Sequence, residues 1–184
     1  ELKKQVLPSD YPDLDIRRMQ IHIVEAADRL LAAMSETSSD KTEKFLKKMG
    51  VNVWLSTQVK DYDGTTVITN QQTFNSKTLV WAAGVKGCPV DGLDATMARG
   101  NRLVTDEFNL IKEKDDIYSI GDVSLIQTAE NEKGHAMLAS VAGQQGAQLA
   151  NNLNRKAKGQ EMKLFVYKDK GTMATIGRNL AVVD

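Results

Sequence analysis

The most chemically suggestive residues of this chain are a carboxylate and the glycine before it, at the end of Ile117-Tyr118-Ser119-Ile120-Gly121-Asp122. The alternation predicts a strand of about six residues that closes on Asp122. At the carboxyl end of a strand in an open α/β sheet, an Asp entered through a flexible Gly can accept hydrogen bonds from a polyol or a sugar. A strand-to-loop Asx turn accounts for the same dipeptide. A second apolar run, Gln20-Ile21-His22-Ile23-Val24, closes on Glu25 in the same way. Gly143 and Gly146 fall near the start of a long helical pattern, where each costs about 1 kcal/mol. That cost points to the close approach of another backbone or a flat ligand, or to tight helix-on-sheet packing. No metal site is expected, because His22 and His135 lack Cys or carboxylate neighbours at ligand spacing. The single Cys88 reads as a small, partly buried residue.

The elements that must position these groups alternate between strand and helix. The run ending at Glu25 is apolar enough for burial on both faces of a parallel sheet. A helix is predicted between Ser35 and Met49, with Asp40 and Glu43 as a capping box, Phe45, Leu46 and Met49 as its apolar stripe, and Gly50 as its stop. Val51 to Leu55 is the next strand. Short alternating segments from Gln58 to Asn75, around Asp63-Gly64 and Asn70-Gln71, predict an antiparallel meander against the main sheet. Leu79-Val80-Trp81-Ala82-Ala83-Gly84 reads as a buried strand. Turn signals at Gly87, Cys88-Pro89 and Asp91-Gly92 mark a domain crossover. Arg102 to Asp106 is a short strand leading to the Ile117 strand. The longest helix is expected over roughly Ala136 to Ala157, its stripe formed by Leu138, Val141, Ala142, Gln145, Leu149 and Leu153. Leu164 to Tyr167 and Thr172 to Ile176 look like two strands of a third unit.

Composition removes several function classes. Lys plus Arg and Asp plus Glu both number 24 in 184 residues, so no global field favours nucleic acid as a partner. An apolar content of 41% with 26% charged residues is that of an ordinary soluble globular protein. One cysteine forms no internal disulfide, and no run of about 18 apolar residues is present. The chain opens with Glu1 to Leu7, which reads as helix without a cap and is stopped by Pro8 and Pro12; it closes on the apolar run Leu180 to Val183. Both ends read as cut through elements, so an internal fragment of a longer protein is expected.

An ordered set of motifs carries a family resemblance. Ile23-Val24-Glu25-Ala26, Trp81-Ala82-Ala83-Gly84-Val85, Ile120-Gly121-Asp122, the stretch ASVAGQQG from Ala139 to Gly146 and YKDKGTMATIGR from Tyr167 to Arg178 resemble the type II NADH:quinone oxidoreductases. These are single-subunit, rotenone-insensitive, FAD-containing enzymes on a two-dinucleotide-binding-domain scaffold. Gly-Asp and Ala-Ala-Gly fit many flavoprotein reductases. The Gln-Gln-Gly helix followed by the Asp-Lys-Gly stretch is much more specific. The resemblance implies an α/β fold, a partial FAD/NAD(P)-binding Rossmann-like scaffold with an antiparallel meander. Both Gly-rich phosphate loops of the family are absent from the chain. It divides the chain into 1–86 of the NADH-binding domain, 87–160 of the FAD-binding domain, and 161–184 opening a C-terminal domain.

The resemblance also implies residue roles. Glu25 would accept hydrogen bonds from the adenosine ribose of NADH and repel the extra phosphate of NADPH. Ala83 and Gly84 would let the backbone approach the dinucleotide. Gly121 and Asp122 would bind the ribityl chain of FAD, and Ala142 and Gln145 would offer backbone amides to the flavin. Lys170 would lie near the flavin. Gln144 matches the second glutamine of the family's quinone-site pattern, whereas the first is Ser140 here, whose hydroxyl reaches less far. No acid or base is singled out. The implied activity is hydride transfer from NADH to FAD and electron transfer on to a quinone, by a parent attached peripherally to the cytoplasmic face of the inner membrane. The membrane helices lie outside this chain, which by itself is expected to be soluble, inactive, and prone to self-association through unpaired sheet edges. A reductase with another acceptor and a non-catalytic nucleotide-binding module are the alternatives. A disulfide reductase would need a redox-active cysteine pair that Cys88 alone does not provide.

Overall fold

In the computed structural model, residues 2–88, 90–93, 98–128 and 133–184 are described. Its backbone separates into two units, one formed by Glu1–Trp81 with Lys170–Asp184 and the other by Ala82–Asp169.

The first unit is built on a β-α-β segment. β-branched and apolar residues over Ile21–Val24 (β1) pair in parallel with Val51–Trp54 (β2), in a register that sets Ile21 opposite Val51 and Val24 opposite Trp54. Before them come a π-helical turn, Leu2–Val6, and a short helix, Leu7–Asp10 (α1). Pro8 does not stop this segment. It occupies the first turn of α1, where the fixed φ of proline suits a helix. Between β1 and β2, Glu36–Lys48 forms α2. Its cap is Ser35, whose hydroxyl accepts the Ser38 N–H, and not Asp40. Glu43 pairs with Lys47 one turn on instead of closing a capping box. Gly50, at φ +81°, ends the helix as the sequence predicts.

The apolar stripe of α2 is covered by the far end of the chain. Met173–Ile176 (β9) and Leu180–Val183 (β10) form an antiparallel hairpin. Met34, Ile176 and Val182 make a buried cluster against Leu31, Phe45, Leu46, Met49 and Ala174. The carboxylate of Asp184 accepts the Ser35 N–H at 2.5 Å and the hydroxyls of Ser35 and Ser38 at 2.7 Å each, so the hairpin also caps α2. The predicted meander is present as β3 (Val59–Tyr62), β4 (Thr66–Thr69) and β5 (Thr73–Asn75), all antiparallel. Its Phe74 ring packs 5.3 Å from Trp54 and 5.2 Å from His22, while the Trp54 indole donates to His22 Nδ1 at 3.0 Å. Leu79 to Gly84 is not a buried strand. No ladder pairs it among the described residues, and Val80 and Trp81 are 81% and 66% exposed. An apolar run is buried only where a sheet receives it, and among the described residues the sheet that holds β1 pairs it with β2 alone.

In the second unit, Ala98–Arg99 (β6) and Arg102–Thr105 (β7) are antiparallel, and β7 runs parallel to Ser124–Ile126 (β8). Leu103 and Ile111 are buried together. The strand expected over Ile117 to Asp122 is reduced to a single bridge between Tyr118 and Leu110. It is followed by a 3-10 turn over Gly121–Val123, and the strand proper starts only at Ser124. Asp122 therefore precedes a strand and does not end one. Cys88 is exposed, not partly buried, and Pro89 of the expected crossover lies outside the described residues. The long helix, α3, spans Ala139–Ala157 and begins three residues later than predicted. No helix among the described residues is long and apolar enough to cross a membrane.

Candidate functional site

The Gly121–Asp122 turn is clipped to α3. Gly121 adopts φ +71°, a conformation that favours glycine, and its N–H donates to the side-chain oxygen of Gln145 at 2.7 Å. Gln145 is 1% exposed on the inner face of the helix. A methyl group added at Gly121 would sit 3.4 Å from the Ala142 side chain, so four of the residues singled out by sequence, Gly121, Asp122, Ala142 and Gln145, form one cluster. Asp122 leaves this cluster toward solvent: it is exposed, and its carboxylate makes no hydrogen bond among the described residues. Arg102 acts on it electrostatically, and its guanidinium donates to the Ser124 and His135 carbonyls at 2.5 and 3.0 Å. Burial pulls the Arg102 pKa down, and the Asp122 charge opposes that.

The amides of the helix are not free at every position named from the sequence. The Ala142 N–H donates to the Leu138 carbonyl at 3.0 Å inside the helix and is not available to a ligand. Gly143 is open on its outer side, since an added Cβ there meets nothing within 4 Å. Tight packing therefore does not explain this glycine. An exposed carboxylate with no hydrogen bond among the described residues suits the hydroxyls of a sugar alcohol, and an open glycine on α3 suits a flat group, so these residues fit the side of a flavin nucleotide.

Ser140 and Gln144 lie on another flank of α3 and are both engaged. The hydroxyls of Ser140 and Tyr167 are 2.9 Å apart. Gln144 makes two bonds to the Lys168 backbone, donating to its carbonyl and accepting from its N–H, each at 2.9 Å. One and two turns further, Gln148 donates to the Lys163 carbonyl at 3.1 Å, and Asn152 grips both the N–H and the carbonyl of Lys163 at 2.8 Å. This row of amides holds Leu164 to Tyr167 extended along the helix, where the sequence suggests a strand of a separate unit. Phe165 is buried, and His135 stands 5.5 Å from its ring and 5.6 Å from that of Tyr167. Burial, and then the Arg102 charge, hold His135 below the usual imidazole range. Arg102, His135 and Tyr167 were missed as site residues. The only sequence signal was the four-residue spacing of Gln144, Gln148 and Asn152.

The remaining candidates are not gathered into these clusters. Glu25 is half-buried at the end of β1; its N–H donates to the Trp54 carbonyl at 2.8 Å, and one carboxylate oxygen accepts the Ala27 N–H at 2.9 Å. Ala83 and Gly84 are exposed in the second unit, and Gly84 has open space where a side chain would stand. Lys170 is exposed and belongs to the first unit, with Glu25.

Comparison with known proteins places these features in a family context. Residues 14–146 match the family described as pyridine nucleotide-disulphide oxidoreductase. The type II NADH:quinone oxidoreductase of Staphylococcus aureus is 31% identical over 173 residues, which cover 89% of this chain and 42% of that protein. The chain thus spans less than half the length of the curated relatives it matches. The structure of NDH2 from Plasmodium falciparum in complex with NADH superposes with a TM-score of 0.83 at 19% identity, covering 99% of this chain and 53% of that one. The ferredoxin reductase for the CYP199A2 system from Rhodopseudomonas palustris gives a TM-score of 0.68 at 18% identity over 85% of this chain and 39% of that one. The partial α/β dinucleotide-binding scaffold expected from the sequence is the fold these structures share.

Proposed function

The chain belongs to the pyridine nucleotide-disulphide oxidoreductase family, and from that premise we propose that it works as part of a type II NADH:quinone oxidoreductase that binds FAD and NADH. The observation that carries this reading is the Gly121–Asp122 turn, fixed on α3 by Gln145, with its carboxylate exposed and without a hydrogen bond among the described residues. The names of the curated relatives support the reaction class.

Bound FAD would supply the two-electron relay between a hydride donor and an acceptor. The residues of this chain supply binding and orientation. Asp122 would accept hydrogen bonds from the ribityl hydroxyls, and Gln145 would hold the Gly121 amide so that the carboxylate keeps its aim. Glu25 has one carboxylate oxygen engaged by Ala27 and would offer the other to the adenosine ribose of NADH; its charge would disfavour a 2′-phosphate there. Ala83 and Gly84 would admit close backbone approach to the dinucleotide, Lys170 would stand near the flavin, and Ser140 and Gln144 would face the quinone headgroup. In this reading 1–86 serve NADH, 87–160 serve FAD and 161–184 begin a third domain. The complete polypeptide would sit peripherally on the cytoplasmic face of the inner membrane through segments outside this stretch, and the isolated chain would self-associate through the free edges of β1 and β2.

The visible spectrum of the complete polypeptide tests this. Flavin bands that bleach with NADH under anaerobic conditions and return with a soluble quinone are expected. Absent bands, or bands indifferent to NADH, would overturn the reading.

A further inference from the structure

Arg102 opens β7 half-buried, and its guanidinium reaches two backbone carbonyls. Nε and Nη2 both donate to Ser124, at 2.9 and 2.5 Å, and Nη2 donates to His135 as well, at 3.0 Å. Both acceptors adjoin the candidate site. Ser124 closes the Gly121–Asp122 turn, its N–H donating to the Gly121 carbonyl, and it is fully buried with its hydroxyl 3.2 Å from that of Thr105. His135 lies just ahead of α3, which starts at Ala139. Its neighbour Gly134 runs so close to β8 that an added Cβ would meet the Leu125 side chain at 2.4 Å and the Ile126 carbonyl at 2.9 Å.

These contacts close a ring. From Arg102 they pass through Ser124 and the turn to the Gly121 N–H, across Gln145 to α3, and back along the helix to His135 and Arg102. A turn held at one point can pivot about it, whereas a turn held at both ends keeps its direction as well as its place. The Asp122 side chain hangs between the two holds, so its aim relative to α3 depends on both. Burial disfavours the cation at this position, and its charge-assisted bonds to the two carbonyls offset that cost. Arginine suits the task because its planar fork presents several donors in fixed directions, which an ammonium on a flexible stem does not.

We propose that Arg102 is a positioning residue for the flavin site: through the Ser124 and His135 carbonyls it fixes the Gly121–Asp122 turn against the start of α3, and with it the direction in which Asp122 meets the ribityl hydroxyls. This rests on the FAD reading above and adds to it a residue that acts through Asp122 and not on the cofactor itself.

The test titrates the FAD-free complete polypeptide with FAD and follows quenching of flavin fluorescence. Arg102→Gln should raise the FAD Kd roughly five- to tenfold. Arg102→Lys keeps the charge and loses the fork, and its Kd should lie within about twofold of the glutamine variant. In an Asp122→Ala background, where no carboxylate is left to aim, either substitution should change Kd by less than about twofold. Without FAD, amide exchange of peptides covering residues 117–125 and 133–140 should quicken together in both variants. If Arg102→Gln does not accumulate folded, Arg102→Lys carries every comparison. A Kd restored by lysine overturns the fork, and an equal loss with and without Asp122 overturns positioning in favour of a general effect on the fold. Wild-type exchange in the two peptides overturns the clamp whatever the flavin does. A wild-type polypeptide that takes up no FAD overturns the FAD reading, and this role with it, before any variant is compared.

Discussion

Replacing Gln145 with Leu removes the clip between α3 and the Gly121–Asp122 turn while leaving the helix a residue of good propensity and similar bulk. The side chain is 1% exposed, and its oxygen accepts the Gly121 N–H at 2.7 Å. Losing that bond forfeits about 1 kcal/mol net, and a stranded N–H at a half-buried position adds up to about 2 kcal/mol. Burial of the leucine offsets part of this. A net loss of about 1–2 kcal/mol corresponds to a fall in Tm of about 2–8 °C for a domain of this size. If the turn opens more easily by the same energy, its amide exchange accelerates roughly five- to thirtyfold. The assay is thermal unfolding together with hydrogen exchange of a peptide covering residues 117–125. Flavin content should fall as well, since Asp122 loses the hold on its backbone. Exchange at wild-type rate with a Tm shift below about 1 °C would refute the reasoning.

Two further outcomes are expected. Asp122→Ala should lower FAD occupancy of the complete polypeptide while changing stability by no more than about 0.5 kcal/mol, because the side chain is exposed; undiminished flavin absorbance would remove Asp122 from the site. The Asp184 carboxyl is held below its ordinary 3.8 first by the Ser35 N–H and then by the hydroxyls of Ser38 and Ser35. Its contribution to the cap of α2 is therefore fully present above the ordinary carboxyl pKa and is lost as pH falls through the lower folded value. Hydrogen exchange at the first turn of α2 should quicken on acidification below about pH 4. In Asp184→Asn that turn should be less protected at neutral pH and flat across the acid range; identical profiles for the two proteins would contradict the cap.

Local signals carried much of the fold. Gly50 marks the end of α2, Asp63-Gly64 marks a turn of the meander, and the helical spacing after Ala139 marks α3. These depend on a few neighbouring residues and on backbone sterics, which sequence reading handles well. What escaped depends on partners far along the chain. Asp40 and Ser35 are both good capping residues, and the choice fell to Ser35, where Asp184 arrives from 149 positions away. Leu79 to Gly84 has the composition of a strand, but burial requires a sheet to receive it. The inner face of α3 was read as an apolar stripe, whereas Gln145 and Asn152 are its most buried members, since each satisfies its amide on backbone. Leu138 and Leu153 of that stripe are exposed instead. At the site, Gly121, Asp122, Ala142 and Gln145 were legible as candidates. The partnership of Ser140 with Tyr167 was not, because it depends on the amide row that lays Lys163 to Lys168 along the helix.

The interruption of the first unit by the second sets an order for its synthesis. A ribosome releases α2 long before Ile176 and Val182, the residues that cover its apolar stripe. At ordinary elongation rates the delay is on the order of ten seconds. Throughout that interval Phe45, Leu46 and Met49 have no hairpin to pack against, and the inserted unit must bring Lys170 back toward α2 before they gain one. The nascent chain therefore presents a greasy helix to chaperones and to its neighbours on the same message. Its quality as a folding substrate depends on residues that have yet to be translated.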